Sequence, residues 1–294
     1  MRTGAPARWP SHCDIFGYLR DQNRPIELKE IIARVGSEVV LIPEIAKHLI
    51  NSGGKRLRPM LTLATADLCG YEGEGQVKLA ASVEFMHTAT LLHDDVVDES
   101  ALRRGRQTAN ALFGNAASVL VGDFVYSRAF QMMVSVNNMR VMQILADATN
   151  VIAEGEVLQL MNMHDPDVTE ERYLQVIRSK TAKLFEAATE LGSLIAGAPE
   201  DAITAASEYG RSLGTAFQLI DDVLDYSGNA ADIGKNVGDD LADGGEIALA
   251  LIRDADGAGF AAGRRCGKPS LADRHAHDLF RRPGAAGHLL RRLR

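Results

Sequence analysis

The feature that most constrains this chain of 294 residues is a run in which an apolar helix turns acidic: Glu84-Phe85-Met86-His87-Thr88-Ala89-Thr90-Leu91-Leu92-His93-Asp94-Asp95-Val96-Val97-Asp98. At about 100° per residue, His87, Asp94 and Asp98 fall within about 40° of arc with Leu91 beside them, so an imidazole and two carboxylates share one stripe. Asp95 lies about one residue-step round from that stripe. Like charges four apart cost an isolated helix about 0.2–0.5 kcal/mol per pair, and more beside apolar surface, so something cationic is expected to sit against them. A second run, from Gly214 to Asp225, repeats the pattern: an apolar helix ends in Asp-Asp-x-x-Asp, and Gln218, Asp221, Asp222 and Asp225 fit within about 100° of arc. One such motif is ordinarily a solvated helix end or a cap. Two copies, neither with the Asp-x-Asp-x-Asp-Gly pattern of a calcium-binding hand, point instead to opposed carboxylate clusters. Such clusters suit magnesium ions, because hard dications take oxygen ligands, keep some waters and are usually completed by substrate phosphates. The expected substrate is a diphosphate.

With 46% hydrophobic residues, a chain of this length can bury roughly three quarters of its unfolded surface as one large domain or two small ones. A net charge of −7 argues against a general nucleic-acid or anionic-membrane binder. Cys13, Cys69 and Cys266 are widely spaced and odd in number, which indicates neither a disulfide framework nor a zinc site and fits a reducing cytosol. No apolar run reaches the roughly 18–20 residues of a membrane span, and the first residues lack a signal-peptide core. Residues 1–13 carry no periodicity and read as a flexible leader. From there helical spacing dominates, predicting helices at 27–50 (interrupted by Pro43), 57–69, 76–98, 115–136, 138–162, 168–197 and 200–226. Asp167-Val168-Thr169-Glu170 has the spacing of a cap before the long helix. Almost no strand alternation is visible, so the expected fold is all-α.

Basic residues cluster where the acidic motifs need them. In Gly53-Gly54-Lys55-Arg56-Leu57-Arg58-Pro59 the glycines let backbone approach a ligand, and Lys55 and Arg58, three apart at a helix start, can address one phosphate; a plain surface turn is the alternative. Arg103-Arg104-Gly105 follows Asp98 closely and places cations beside the carboxylates. Lys180-Thr181, Lys183 and Lys235 read by themselves as solvated positions.

Taken in order, Gly-Gly-Lys-Arg-Leu-Arg-Pro, Asp-Asp-x-x-Asp with Arg-Arg-Gly, Lys-Thr, and Phe-Gln-x-x-Asp-Asp-x-x-Asp make the chain resemble the trans-type polyprenyl diphosphate synthases, from about residue 14 to 243. The runs Glu84 to Ser100 and Gly155-Glu156-Val157-Leu158-Gln159-Leu160-Met161 are similar to those of bacterial octaprenyl diphosphate synthases, which make quinone side chains. The resemblance implies the isoprenoid synthase fold, a bundle of antiparallel helices around a central cavity. It implies that Lys55, Arg58, His87 and Arg104 hold the diphosphate of isopentenyl diphosphate. It assigns Asp94, Asp98, Asp221 and Asp225 to Mg2+, Asp95 and Asp222 to the same catalytic motifs, and Arg103, Lys180, Thr181, Gln218 and Lys235 to the allylic diphosphate. It also implies a homodimer in the cytoplasm that handles no nucleic acid and passes its product to a membrane enzyme.

The reaction so implied is loss of diphosphate from the allylic substrate, farnesyl diphosphate by expectation. The cation is attacked by the double bond of isopentenyl diphosphate, and a proton is lost to the released diphosphate. No Ser/His/Asp or Cys/His pattern offers a nucleophile. His93 reads as structural, since its wheel angle points off the acidic stripe. The family position that limits product length, five before the first motif, is Ala89, whose small side chain implies a long product; Phe124, Phe130, Met132 and Met133 are candidates for a tunnel floor. After about Asp243 the chain departs from the family. Where relatives carry Glu-Gly-Lys-x-Thr-Leu-Pro it has Asp243-Gly244-Gly245-Glu246-Ile247-Ala248-Leu249, and residues 244–294 read as a divergent, frame-shifted or disordered tail, with 253–294 rich in Gly, Ala, Arg and His. That departure leaves an impaired homologue, or a partner subunit of a hetero-oligomeric synthase, as an alternative. A terpene cyclase or head-to-head condensing enzyme shares the carboxylate–magnesium chemistry, but would not need the second diphosphate site at 53–59.

Overall fold

The computed structural model describes residues 36–162 and 169–227, with side chains through Val223. The leader at 1–13, the predicted helix over 27–35, Lys235, the Asp225 side chain and the 244–294 tail lie outside the described residues. Nine α-helices account for about three quarters of the described residues. They are α1 (Leu41–Asn51), α2 (Leu57–Leu68), α3 (Gly75–Val97), α4 (Ala109–Phe113), α5 (Asn115–Val134), α6 (Met139–Asn162), α7 (Glu170–Ile177), α8 (Lys183–Ile195) and α9 (Glu200–Ser227). A hairpin of two-residue strands, β1 (Leu102–Arg103) and β2 (Arg106–Gln107), pairs antiparallel with Leu102 opposite Gln107.

The bundle is built around α3. Its buried residues, among them Leu79, Val83, Phe85, Met86, Ala89 and Leu92, face every direction, and a helix apolar all round belongs inside. It packs along α5 and against α1, α2 and α8, while α8 packs in turn on α9 and α2. Close packing there depends on glycine: a Cβ on Gly214 would stand 2.7 Å from the Cα of Ala182 and 2.9 Å from Phe185 Cβ. The acidic end of α3 thus emerges from the core, with its apolar length holding it in place.

Three local predictions are corrected. The helix expected over 27–50 does not include residues 36–40, which form bends and a turn. It starts at Leu41, so Pro43 lies in its first turn, where a missing N–H costs nothing because that donor has no partner within the helix. The helix expected over 168–197 is three continuous pieces, α7, a π turn at Arg178–Ala182 and α8. Thr169 is its cap, with Oγ1 accepting from the Arg172 N–H at 3.3 Å. The hairpin at 102–107 and the short α4 were absent from the periodicity reading, since both are too short to show a period.

Candidate active site

Two groups of polar side chains meet at the end of the bundle where α3 and α9 finish. The first is basic. The chain enters α2 through Gly53 (φ +93°), Gly54 (φ +146°) and Arg56 (φ +50°), a left-handed path that frees the loop to fold back. Arg56 donates to the Glu84 carboxylate and to the Ile50 carbonyl. Arg104 donates to the Gly53 carbonyl, and a Cβ on Gly54 would meet its guanidinium at 2.9 Å. Arg58 lies 4.5 Å over the Phe185 ring and donates to His87 Nε2 at 3.2 Å. Burial pulls Arg58 down to about 10, opposed by the charges of Glu84 and Asp221. His87 is held well below its ordinary value, first by burial and then by Arg58 and Arg104, so its ring is neutral and Nε2 accepts. Lys55 is exposed and lies 5.6 Å over Phe217.

The second group is acidic and opens a cavity of about 360 Å³. Asp94, Asp98, Glu156 and Lys180 line its mouth, and Tyr126, Ile152, Ala153 and Leu160 contribute apolar wall. Lys180 pairs with Glu156 at 2.8 Å and stands 3.9 Å from Asp94. Burial pushes Asp94 up to about 7, with Glu156 and Asp98 adding to the rise against Lys180. Glu156 Oε1 is buried with no hydrogen-bond partner. Crowded, under-compensated carboxylate oxygens suit a hard divalent cation. Among the described residues no three His, Cys, Asp or Glu side chains close into a complete cage, as expected where one or two carboxylates act with substrate phosphates.

The second member of each motif is turned away from this space. Asp95 is 0% exposed, and its Oδ1 accepts from Arg103 Nε at 2.8 Å with Nη2 of the same guanidinium 2.7 Å away. Asp222 accepts from Tyr173 and from Gln218, which in turn accepts from Thr181 at 2.8 Å. Arg103, Thr181 and Gln218 therefore bond motif residues or one another. Asp221 lies near enough to Arg58 and Arg104 for both guanidinium groups to feel its charge. His93 packs on Gly122, whose missing Cβ admits the ring, with Nε2 3.3 Å from both the Val119 carbonyl and Asp123. Ala89 is wholly buried in α3 and does not line the cavity. Neither do Phe124, Phe130, Met132 or Met133; Tyr126 does, with Phe130 behind it at 5.4 Å between ring centroids.

Glu84, Glu156 and Tyr173 were missed by motif reasoning. Glu84 did carry a signal, as an acid inside an apolar run, three residues before His87. Glu156 sits in the quoted Gly155–Met161 run. Tyr173 carried none, because its role depends on α7 meeting α9.

The family model of polyprenyl synthetase matches residues 39–254. The chain belongs to the polyprenyl synthetase family. Among curated members, it is 58% identical over 214 residues to the octaprenyl diphosphate synthase of Escherichia coli (strain K12), a match covering 73% of this chain and 66% of that protein. The octaprenyl diphosphate synthase of Haemophilus influenzae is 56% identical over 216 residues, covering 74% and 66%. The aligned region is thus just under two thirds of either relative's length. A polyprenyl synthase from Caulobacter crescentus CB15, solved with calcium and isoprenyl diphosphate, superposes with a TM-score of 0.74 at 45% identity, covering 97% of this chain and 89% of that one. The all-α isoprenoid synthase fold of this family is the fold described above. No helix among the described residues is long and apolar enough to cross a membrane.

Proposed function

We propose that the protein is a magnesium-dependent prenyltransferase that adds isopentenyl diphosphate to an allylic diphosphate, farnesyl diphosphate as primer, to make a long all-trans chain of octaprenyl length for a quinone. The observation that carries this reading is one apolar cavity whose mouth is acidic and which adjoins a separate basic cluster. Such an arrangement suits two diphosphates in different surroundings, with apolar wall for a hydrocarbon tail.

Lys55, Arg58, His87 and Arg104 would bind the isopentenyl diphosphate, three cations and a neutral ring acting as donors to its oxygens. Glu84 holds Arg56 and with it the loop that presents Lys55 and Arg58. Asp94, Asp98, Asp221 and Asp225 would hold Mg2+. Bound there, the metal would neutralise charge on the departing allylic diphosphate. Lys180 stands at the same place, and Lys235 would join it. Arg103, Thr181, Gln218, Asp95 and Asp222 support these groups through the bonds described. The allylic carbon–oxygen bond breaks with its electron pair leaving on the diphosphate. The isopentenyl double bond then attacks the carbon, and the released diphosphate takes the proton. Apolar walls keep water from the cation. Product length would follow the depth of the cavity, set by its walls on α5 and α6. The proposed setting is cytoplasmic, as a homodimer that handles no nucleic acid and hands its product to a membrane enzyme.

The test is incorporation of labelled isopentenyl diphosphate by the purified protein with farnesyl diphosphate. Chelation should abolish it and added magnesium restore it. Incorporation that survives chelation, or none under any metal, would overturn the reading.

A further inference from the structure

Tyr173 on α7 takes no part in the reading above, yet its side chain reaches the second acidic motif. The residue is 4% exposed and packs with Ile177, Leu174, Leu219 and Val223, so the ring has little freedom. Its hydroxyl donates to Asp222 Oδ2 at 2.5 Å. The other oxygen, Oδ1, accepts from Gln218 Nε2 at 2.6 Å. The amide oxygen of Gln218 accepts from Thr181 Oγ1 at 2.8 Å, in the π turn that also carries Lys180. Three hydrogen bonds thus run from α7 through α9 to the turn beside the cavity. Both oxygens of Asp222 are spent on protein donors.

Consecutive helix residues point about 100° apart. With Asp222 drawn toward α7, Asp221 points about 100° round α9 from it, near enough for Arg58 and Arg104 to feel its charge. We propose that Tyr173 is a positioning residue: through its hydroxyl on Asp222 it sets the roll of α9 and so aims Asp221 at the diphosphate site. Packing of the ring alone would leave that roll loose, whereas a bond to an ionised acceptor is short and directional. Outer partners of ligating carboxylates act in this way in metal sites generally. The inference rests on the proposed role of the second motif in holding a magnesium diphosphate.

The test compares wild type, Tyr173→Phe, Asp222→Asn and the double variant. Tyr173→Phe keeps the packed ring and removes one oxygen, so the metal-free protein should melt within a few degrees of wild type. The primary readout needs no turnover: the magnesium concentration that gives half of the thermal stabilisation by inorganic pyrophosphate. It should rise about tenfold in Tyr173→Phe. The double variant should be no worse than Asp222→Asn, because the hydroxyl acts through that carboxylate. An unchanged magnesium midpoint in Tyr173→Phe, or additive losses in the double variant, overturns the proposal alone. Wild-type protein with no magnesium-dependent stabilisation by pyrophosphate would overturn the functional reading and this inference with it.

Discussion

Neighbouring carboxylates of one motif meet opposite surroundings. Asp94 shares the cavity mouth with Asp98 and Glu156, whereas Asp95, about 100° round the helix, is enclosed and ion-paired with Arg103. Their substitutions should part accordingly. Asp95→Ala strands a half-buried guanidinium and should cost about 3 kcal/mol or more, read as a lower denaturant midpoint. Asp94→Asn relieves like-charge crowding and should leave that midpoint unchanged or higher, while turnover falls at least about 100-fold. Equal stability of the two variants would contradict the assignment. His87 gives the pH dependence. Its folded-state value lies below the unfolded value of about 6.5, so the unfolded chain takes up a proton that the folded one refuses. The stability is fully present above about pH 6.5 and is lost as pH falls toward the folded value, by at most about 1.4 kcal/mol per pH unit. His87→Gln should flatten this slope in denaturation midpoints measured from about pH 7.5 to 5.5; an unaltered slope would mean that the imidazole is protonated when folded. The helical wheel placed Asp94 and Asp98 on one stripe and set Asp95 aside. It could not reveal Arg103 as the partner, because that contact is made by the hairpin that follows α3.

Helices were legible where an apolar face runs for several turns. Thus α2, α3, α6 and α9 lie within a residue or so of their expected ends; the cap before Glu170 is Thr169, whereas the Asp-x-x-Glu spacing pointed to Asp167, which lies outside the described residues. Interruptions without a sequence period were not: the π turn reads as helix, since Arg178–Ala182 keeps its neighbours' spacing. That turn matters to the site. Gly155 on α6 lies against it, and an added Cβ would stand 2.7 Å from Ser179 Cβ and 3.0 Å from the Lys180 amide nitrogen. Since the obstruction includes backbone, Gly155→Ala should destabilise by about 1–3 kcal/mol and push Lys180 off its pairing with Glu156. Thermal melting checks the first part. The second should appear as a raised KM for the allylic substrate with that for isopentenyl diphosphate unchanged. A variant as stable as wild type with both constants intact would show that the turn can yield.

At the scale of the whole molecule, the apolar helix α3 joins the two sites: Glu84 and His87 serve the basic cluster, and Asp94 and Asp98 the cavity mouth. The existence of both sites was legible from the motifs and their order. The depth of the cavity was not, because it is set by side chains from α5 and α6 that read as ordinary core. Tyr126 faces it while Met132 and Met133 lie in the core. In the proposed function this arrangement elongates a prenyl chain inside the apolar cavity. The most direct measurement is to incubate the purified chain with magnesium, farnesyl diphosphate and labelled isopentenyl diphosphate, remove the phosphates and size the products by chromatography. The expected result is a ladder of five-carbon steps ending in a long polyprenol. A cyclised product, or no extension by a protein that still binds magnesium pyrophosphate, would contradict it.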